Sequence, residues 1–220
     1  MIALVQSSLV SVFMMLDASS QYAAEEVQRL EACLEKLETS PEDAYEDGLA
    51  WMAETNRARA RHCTALALIE LGKIEEGAAR LEDLANAPDG GSIGDRAVYL
   101  AQSGNAWLLA HRYEAAELTL TNAIRLSPED HELYKDRARA RVMLKNWFGV
   151  DSDVSEALRL KANDIEALKI RIQARIELGE LQLAHQDVQV AMALAPKDID
   201  VLVLRGDVRE AQRKEAARNR

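Results

Sequence analysis

Apolar residues recur three and four apart along most of this chain, the spacing that puts them on one side of a helix. From Ala97 onward, Leu100, Gly104, Trp107 and Leu108 mark one such stripe, and Tyr113, Ala116, Leu120, Ala123 and Ile124 mark a second. The pair of stripes then returns. Residues Ala97 to Asp130, His131 to Asp164 and Ile165 to Asp198 align column by column as three contiguous units of 34 residues. Column 20 reads Ala116, Val150 and Ala184; column 27 reads Ala123, Ala157 and Ala191; column 30 reads Leu126, Leu160 and Leu194. A fixed period of this length means one supersecondary unit stacked on copies of itself. Small residues at columns 8 and 20 (Gly104 with Ala116, Ala138 with Val150) let two antiparallel helices approach closely. The bulky residue at column 17 (Tyr113, Trp147, Leu181) fills the wedge beside them.

With Pro128, Ala162 and Pro196 at column 32, these columns resemble the tetratricopeptide repeat, a helix-turn-helix unit of the same length. Ile172 at column 8 and Ala162 for the usual proline depart from its pattern. The resemblance implies an all-α, right-handed superhelical solenoid of helix hairpins. It is strong over 97–198 and looser over 58–96, where Gly72, Ile74, Gly77, Leu81 and Leu84 fall in the right columns before a Gly-rich loop, Asp89 to Asp95. Residues 21–57 read as a helix pair too degenerate to be a repeat, with Ser40 as N-cap and Pro41 at the first helical position. Residues 199–220 supply a capping helix and a basic tail.

Charge narrows the partner. A net charge of −10 excludes nucleic acid as the expected ligand, since phosphate binding needs a basic face. The acidity is concentrated in residues 1–57, with 11 Asp or Glu against 3 Lys or Arg. Residues 1–20 begin with an apolar run to Leu16, too short for a membrane span, and read as a signal peptide or an apolar N-terminal helix. A cut after Ala18-Ser19-Ser20 fits the first reading, while the lack of Lys or Arg before Arg29 opposes it. Cys33 and Cys63 are separated by one predicted hairpin. In an oxidising compartment a disulfide closing that loop adds about 3 kcal/mol, whereas in the cytosol both are inert core thiols. The stretch from Cys33 through Arg61-His62-Cys63 to the Gly-rich loop is also similar to exported repeat proteins of alphaproteobacteria.

Arginine recurs at column 7 (Arg137, Arg171, Arg205) and at column 11 (Arg141, Arg175, Arg209), each pair on one helical face. Column 23 carries Asp153 and Asp187 only in the units with arginine at column 7, and Thr119 where that column is Ser103. Arg137–Asp153 and Arg171–Asp187 are therefore expected as internal ion pairs joining the two helices of a unit. Column 11 shows no partner column within its unit, leaving a groove that reads a carboxylate-rich peptide and a structural role equally open.

By resemblance to the repeat family, columns 2, 5, 9, 12 and 13 line a concave groove. The residues expected to hold a peptide there are Asn105, Leu108, Leu109, Lys135, Arg139, Met143, Lys169 and Gln173. The carboxylate clamp by which one family subgroup grips chaperone tails is lacking. Of its positions only Asn105 matches, and Ala101, Asp136, Glu166 and Ile170 stand at the others.

No catalytic, cofactor or metal motif emerges. His131-Glu132 lacks the second histidine of a zinc protease, and Gly90-Gly91 lacks the lysine of a phosphate loop. Asp151-Ser152-Asp153 falls in a predicted helix without the later residues of a calcium loop. The sequence thus points to a non-enzymatic adaptor that binds a protein or peptide, exported to the periplasm or secreted. A cytoplasmic adaptor using the same groove is the alternative, and an accessory subunit of an enzyme the outside reading.

Overall fold

The helical spacing of the sequence appears in a computed structural model that describes residues 21–22 and 24–219. The apolar segment 1–20, expected to be a signal peptide or helix, lies outside the described residues. Eleven helices and no strand are found among the described residues. They are α1 (residues 24–37), α2 (Pro41–Thr55), α3 (Ala58–Glu70), α4 (Ile74–Asn86), α5 (Ile93–Leu109), α6 (Tyr113–Leu126), α7 (His131–Met143), α8 (Trp147–Leu160), α9 (Ile165–Glu177), α10 (Leu181–Leu194) and α11 (Ile199–Arg218). Each helix packs on its sequence neighbours. In addition, α5 touches α7, α7 touches α9 and α9 touches α11. First helices of successive units thus form a continuous inner layer, and second helices an outer one.

The columns of small residues do what their size requires. A Cβ added to Gly104 would lie 2.5 Å from Leu120 Cγ across the α5–α6 hairpin, so only glycine admits this approach. Ala116, Ala123, Ala138, Ala157, Ala184 and Ala191 are fully buried. Ile172, the departure at column 8, is also fully buried, in the core formed by α7 to α11.

Each hairpin turn carries a left-handed residue at column 15: Gly72 (φ 78°), His111 (58°), Lys145 (56°) and Gly179 (76°). Around them the chain closes a double hydrogen bond. At the third turn Lys145 N–H donates to the Val142 carbonyl and Asn146 N–H to that of Arg141, and the other turns repeat this pattern. This is the Schellman arrangement, which satisfies the last carbonyls of the first helix.

Column 34 provides the opposite ends. The carboxylates of Asp130, Asp164 and Asp198 accept backbone N–H bonds from Glu132, from Ala167, and from Asp200 and Val201, capping α7, α9 and α11.

Two expectations at helix starts are corrected. Ser92 to Asp95 is not linker: Ser92 and Asp95 form a capping box, and Ile93 begins α5, which runs four residues longer at its start than the repeat columns require. Ser40 occupies the N-cap position of α2, but its side chain makes no capping bond and donates to Asp43 at 2.7 Å instead.

The N-terminal pair is fastened differently. Cys33 and Cys63 are joined in a disulfide between α1 and α3, and their sulfurs sit in a small core with Ala44, Trp51, Ala60 and Ala67. Trp51 donates from Nε1 to the buried Glu26, and the Arg29 guanidinium lies over its ring.

A candidate protein-binding groove

The floor of the inner layer is set by ion pairs. Arg137 grips Asp153 with two hydrogen bonds, 3.0 Å from Nε and 2.6 Å from Nη2, and Arg171 holds Asp187 in the same way at 2.8 and 2.6 Å. Both aspartates are buried. Each arginine also reaches a hydroxyl at column 25 of the preceding unit, Thr121 for Arg137 and Ser155 for Arg171.

Column 11, for which no partner was apparent in the sequence, proves to be paired as well. Arg141 lies 2.7 Å from Glu117 and 2.9 Å from Asp153; Arg175 lies 2.8 Å from both Asp151 and Asp187. Glu117 and Asp151 occupy column 21 of the unit before. Partners drawn from the next unit upstream escape a search within one repeat. The carboxylate-reading role left open for these arginines is therefore filled from inside the protein.

The expected groove residues fall into three groups. Lys135 and Lys169 are seam residues rather than groove-liners. Lys135 is buried, its ammonium 2.8 Å from Asp164 and 2.9 Å from Glu132. Lys169 pairs with Glu166, with Asp200 at 3.1 Å and with Asp198 at 3.6 Å. The physical reason is the column 34 aspartate, which caps the next helix at that spot and draws the lysine down. Burial works against the Asp164 charge, but Lys135 and the Ala167 N–H hold its carboxyl below the usual carboxylate range. Lys169 is raised chiefly by its bond to Glu166.

In the second group, Asn105 donates to Asp136 at 2.8 Å and Arg139 pairs with the same carboxylate, making a polar bar across α5 and α7. Asn105 is half-buried, and Asp136 is buried. The third group stays open. Leu109 is 63% exposed, Met143 54% and Val98, another inner-column residue, 49%, with Leu108 half-buried beside them and Gln173 exposed on α9.

At the end of the groove lined by α3 and α5, His62 is buried against the Tyr99 ring with Nε2 2.6 Å from Gln102. Burial pushes its pKa down, partly offset by Gln102 and Asp95.

His131, Glu132 and Asp164 are the one cluster among the described residues with ligand atoms close enough for a metal, within 4.8 Å. The Lys135 ammonium already supplies the positive charge between Glu132 and Asp164.

No family model and no curated protein matches the chain. Solved structures do. MamA (residues 41 to the end) from Desulfovibrio magneticus RS-1 matches with a TM-score of 0.66 at 16% identity, over 80% of this chain and 97% of that one. YrrB, a TPR protein with an unusual peptide-binding site, matches with a TM-score of 0.64 at 19% identity, over 77% and 86%. The second TPR domain of human RPAP3, in complex with the HSP70 peptide SGPTIEEVD, matches with a TM-score of 0.52 at 23% identity, over 54% and 98%.

The fold is that of the tetratricopeptide repeat. Within this TPR solenoid the first-helix face carries the open apolar residues Val98 and Leu109 on α5 and Met143 on α7. Among the described residues no helix is long and apolar enough to cross a membrane.

Proposed function

We propose that this TPR solenoid is a non-enzymatic scaffold that holds a segment of another protein along its concave face. The observation that carries this reading is the exposed apolar strip of Val98, Leu109 and Met143, flanked by Arg139 and Gln173. Large apolar side chains left open on an inner helical face, beside polar groups, suit a peptide that buries its own side chains there. The peptide-bound RPAP3 domain and YrrB lend support by analogy of fold.

The segment bound is not an acidic chaperone tail. Ala101 stands where the clamp lysine belongs, and Asn105 is already engaged by Asp136.

The scaffold works in the periplasm or outside the cell. The Cys33–Cys63 pairing supports an oxidising compartment, because such bonds are rare where thiols are kept reduced. The apolar run to Leu16 is consistent with export.

The test is site-specific photocrosslinking in the native cell. A crosslinking residue at Leu109 or Met143 is expected to trap a discrete protein, and one at Leu118, 64% exposed on the second helix of the same unit, to trap none. Equal trapping from Leu118 would sink the proposal.

A further inference from the structure

Residue type changes along the first-helix face from one unit to the next. At column 13, Leu109 on α5 and Met143 on α7 give way to Glu177 on α9. At column 2, Val98 on α5 gives way to Glu132 on α7 and Glu166 on α9. All six side chains are exposed. The change falls between α5 and α9, inside the row of first helices and not at either end of it. On α11 the same face continues acidic, with Asp200 at column 2 and Asp207 at column 9.

The lysines of these helices do not balance the acids at the surface. Lys135 and Lys169 are sunk at column 5, their side chains 6% and 14% exposed, while the Glu132 and Glu166 they bond are 52% and 56% exposed. A partner arriving at this face therefore meets the carboxylates and not the ammonium groups. Arg139, the exposed cation of column 9, is taken by Asp136. Lys161 and Lys197 stand in the turns before α9 and α11, outside these columns, and Lys161 leans toward Asp164 at 3.6 Å. Glu177 and Asp207 make no ion pair among the described residues.

We infer that the segment held on this face belongs to another protein and is bipartite, with apolar side chains seated on α5 and α7 and Lys or Arg seated on α9. The inference rests on the scaffold reading and names the chemistry of its occupant. Charge complementarity selects that chemistry. Residues 1–20 hold no Lys or Arg, Arg213, Lys214 and Arg218 are built into α11, and a second copy would bring a net charge of −10. Helices packed side by side lie about 8–10 Å apart, and an extended chain advances about 3.3 Å per residue. An apolar anchor over Met143 and a cation beside Glu177 are thus about three residues apart in an extended segment.

The probe is a phage-displayed library of random dodecapeptides panned against the full chain. Enriched peptides are expected to carry Lys or Arg about three residues from an apolar side chain and to be poor in Asp and Glu. Synthetic copies, titrated by fluorescence anisotropy, should bind at least about tenfold more weakly to the Glu177→Lys, Asp207→Lys double variant, as loss of charge pairs at an interface does. Both positions are exposed, so the fold should be retained. Binding should fall likewise for Leu109→Asp. Peptides that require Leu109 but are neutral or acidic, or that ignore the charge reversal, overturn the inference and leave the scaffold reading standing. Basic peptides that bind Leu109→Asp undiminished are held by net charge alone and also overturn it. A library from which nothing is enriched overturns the scaffold reading and the inference with it.

Discussion

The two ends of this solenoid solve one packing problem with opposite chemistry. In the hairpins α7–α8 and α9–α10, the seam is organised by a buried aspartate, Asp153 or Asp187, that takes two arginines. At the α4–α5–α6 seam the same columns are neutral. Ser103, Trp107 and Thr119 stand at columns 7, 11 and 23, and all three turn toward Glu82 at column 25 of the preceding unit, with Trp107 Nε1 at 2.7 Å. Farther toward the N-terminus even this is absent. Thr64 bonds to backbone carbonyls of its own helix and to Met52 Sδ of α2, Arg80 pairs with the exposed Glu76, and the disulfide between α1 and α3 does the fastening. From α4 onward, then, a seam acid recurs, buried as Asp153 and Asp187 and half-buried as Glu82, while its partners change from arginines to neutral donors. What differs is the consequence of losing the acid.

That difference is largest in the charged half. Asp187→Leu leaves Arg171 without a carboxylate and Arg175 with Asp151 alone, and is expected to cost about 3–5 kcal/mol in denaturant unfolding. Combining it with Arg171→Met should recover most of the loss, since Arg175 keeps Asp151 and no guanidinium is left without a carboxylate. Glu82→Gln keeps an acceptor for three neutral donors and is expected to cost only about 0.5–1.5 kcal/mol. Equal losses for Asp187→Leu and Glu82→Gln would erase the contrast between the two halves.

In the disulfide-fastened half, reduction or a Cys33→Ala, Cys63→Ala double substitution is expected to cost about 3 kcal/mol. The loss should show first as hydrogen exchange in α1 and α2, with α7 to α10 unaffected.

Acid acts on the same end through His62. Its pKa is lowered in the fold by burial, so the unfolded chain takes up the proton first. Stability from the neutral ring is complete above the unfolded value of about 6.5 and is lost as the pH falls from there through the lower folded value. The melting temperature of the protein should accordingly decline below about pH 6.5 relative to a His62→Gln variant, which lacks this term. Parallel pH curves for the two proteins would remove His62 from the account.

The smallest effect concerns turns. Lys145 adopts at column 15 the left-handed conformation that Gly72 and Gly179 adopt freely. Lys145→Gly is expected to stabilise by about 0.5–1 kcal/mol, the relief of left-handed strain less the added freedom of the unfolded chain.

Much of the architecture was legible because the repeat writes each packing contact several times over. Ala116, Ala184 and Ala191 could be placed between helices from period and size alone, and Arg137–Asp153 from the way the two residue types appear together. Contacts that cross from one unit to the next were harder. Glu117 and Asp151 stand 24 residues before the arginines they meet, so no column within a repeat links them. The lysines at column 5 look like groove residues until the column 34 aspartates are recognised as helix caps, a signal present in Asp130, Asp164 and Asp198. The α1–α2 pair had no repeat to betray it, since the contact between Trp51 and Glu26 occurs once. Of the expected groove residues, Leu109 and Met143 stand exposed as their columns imply, but which polar residues remain available depended on these hidden pairings.

The most direct test of the scaffold reading compares two double substitutions. Leu109→Asp with Met143→Asp alters the concave face, and Leu118→Asp with Phe148→Asp alters exposed positions on the second helices. All four sites are exposed, so both proteins should retain their stability within about 0.5 kcal/mol. Recovered from native cells, the concave variant is predicted to lose the protein that accompanies the unaltered chain, while the second-helix variant keeps it. Retention by the concave variant and loss by the other would contradict the account and move recognition to the outer layer.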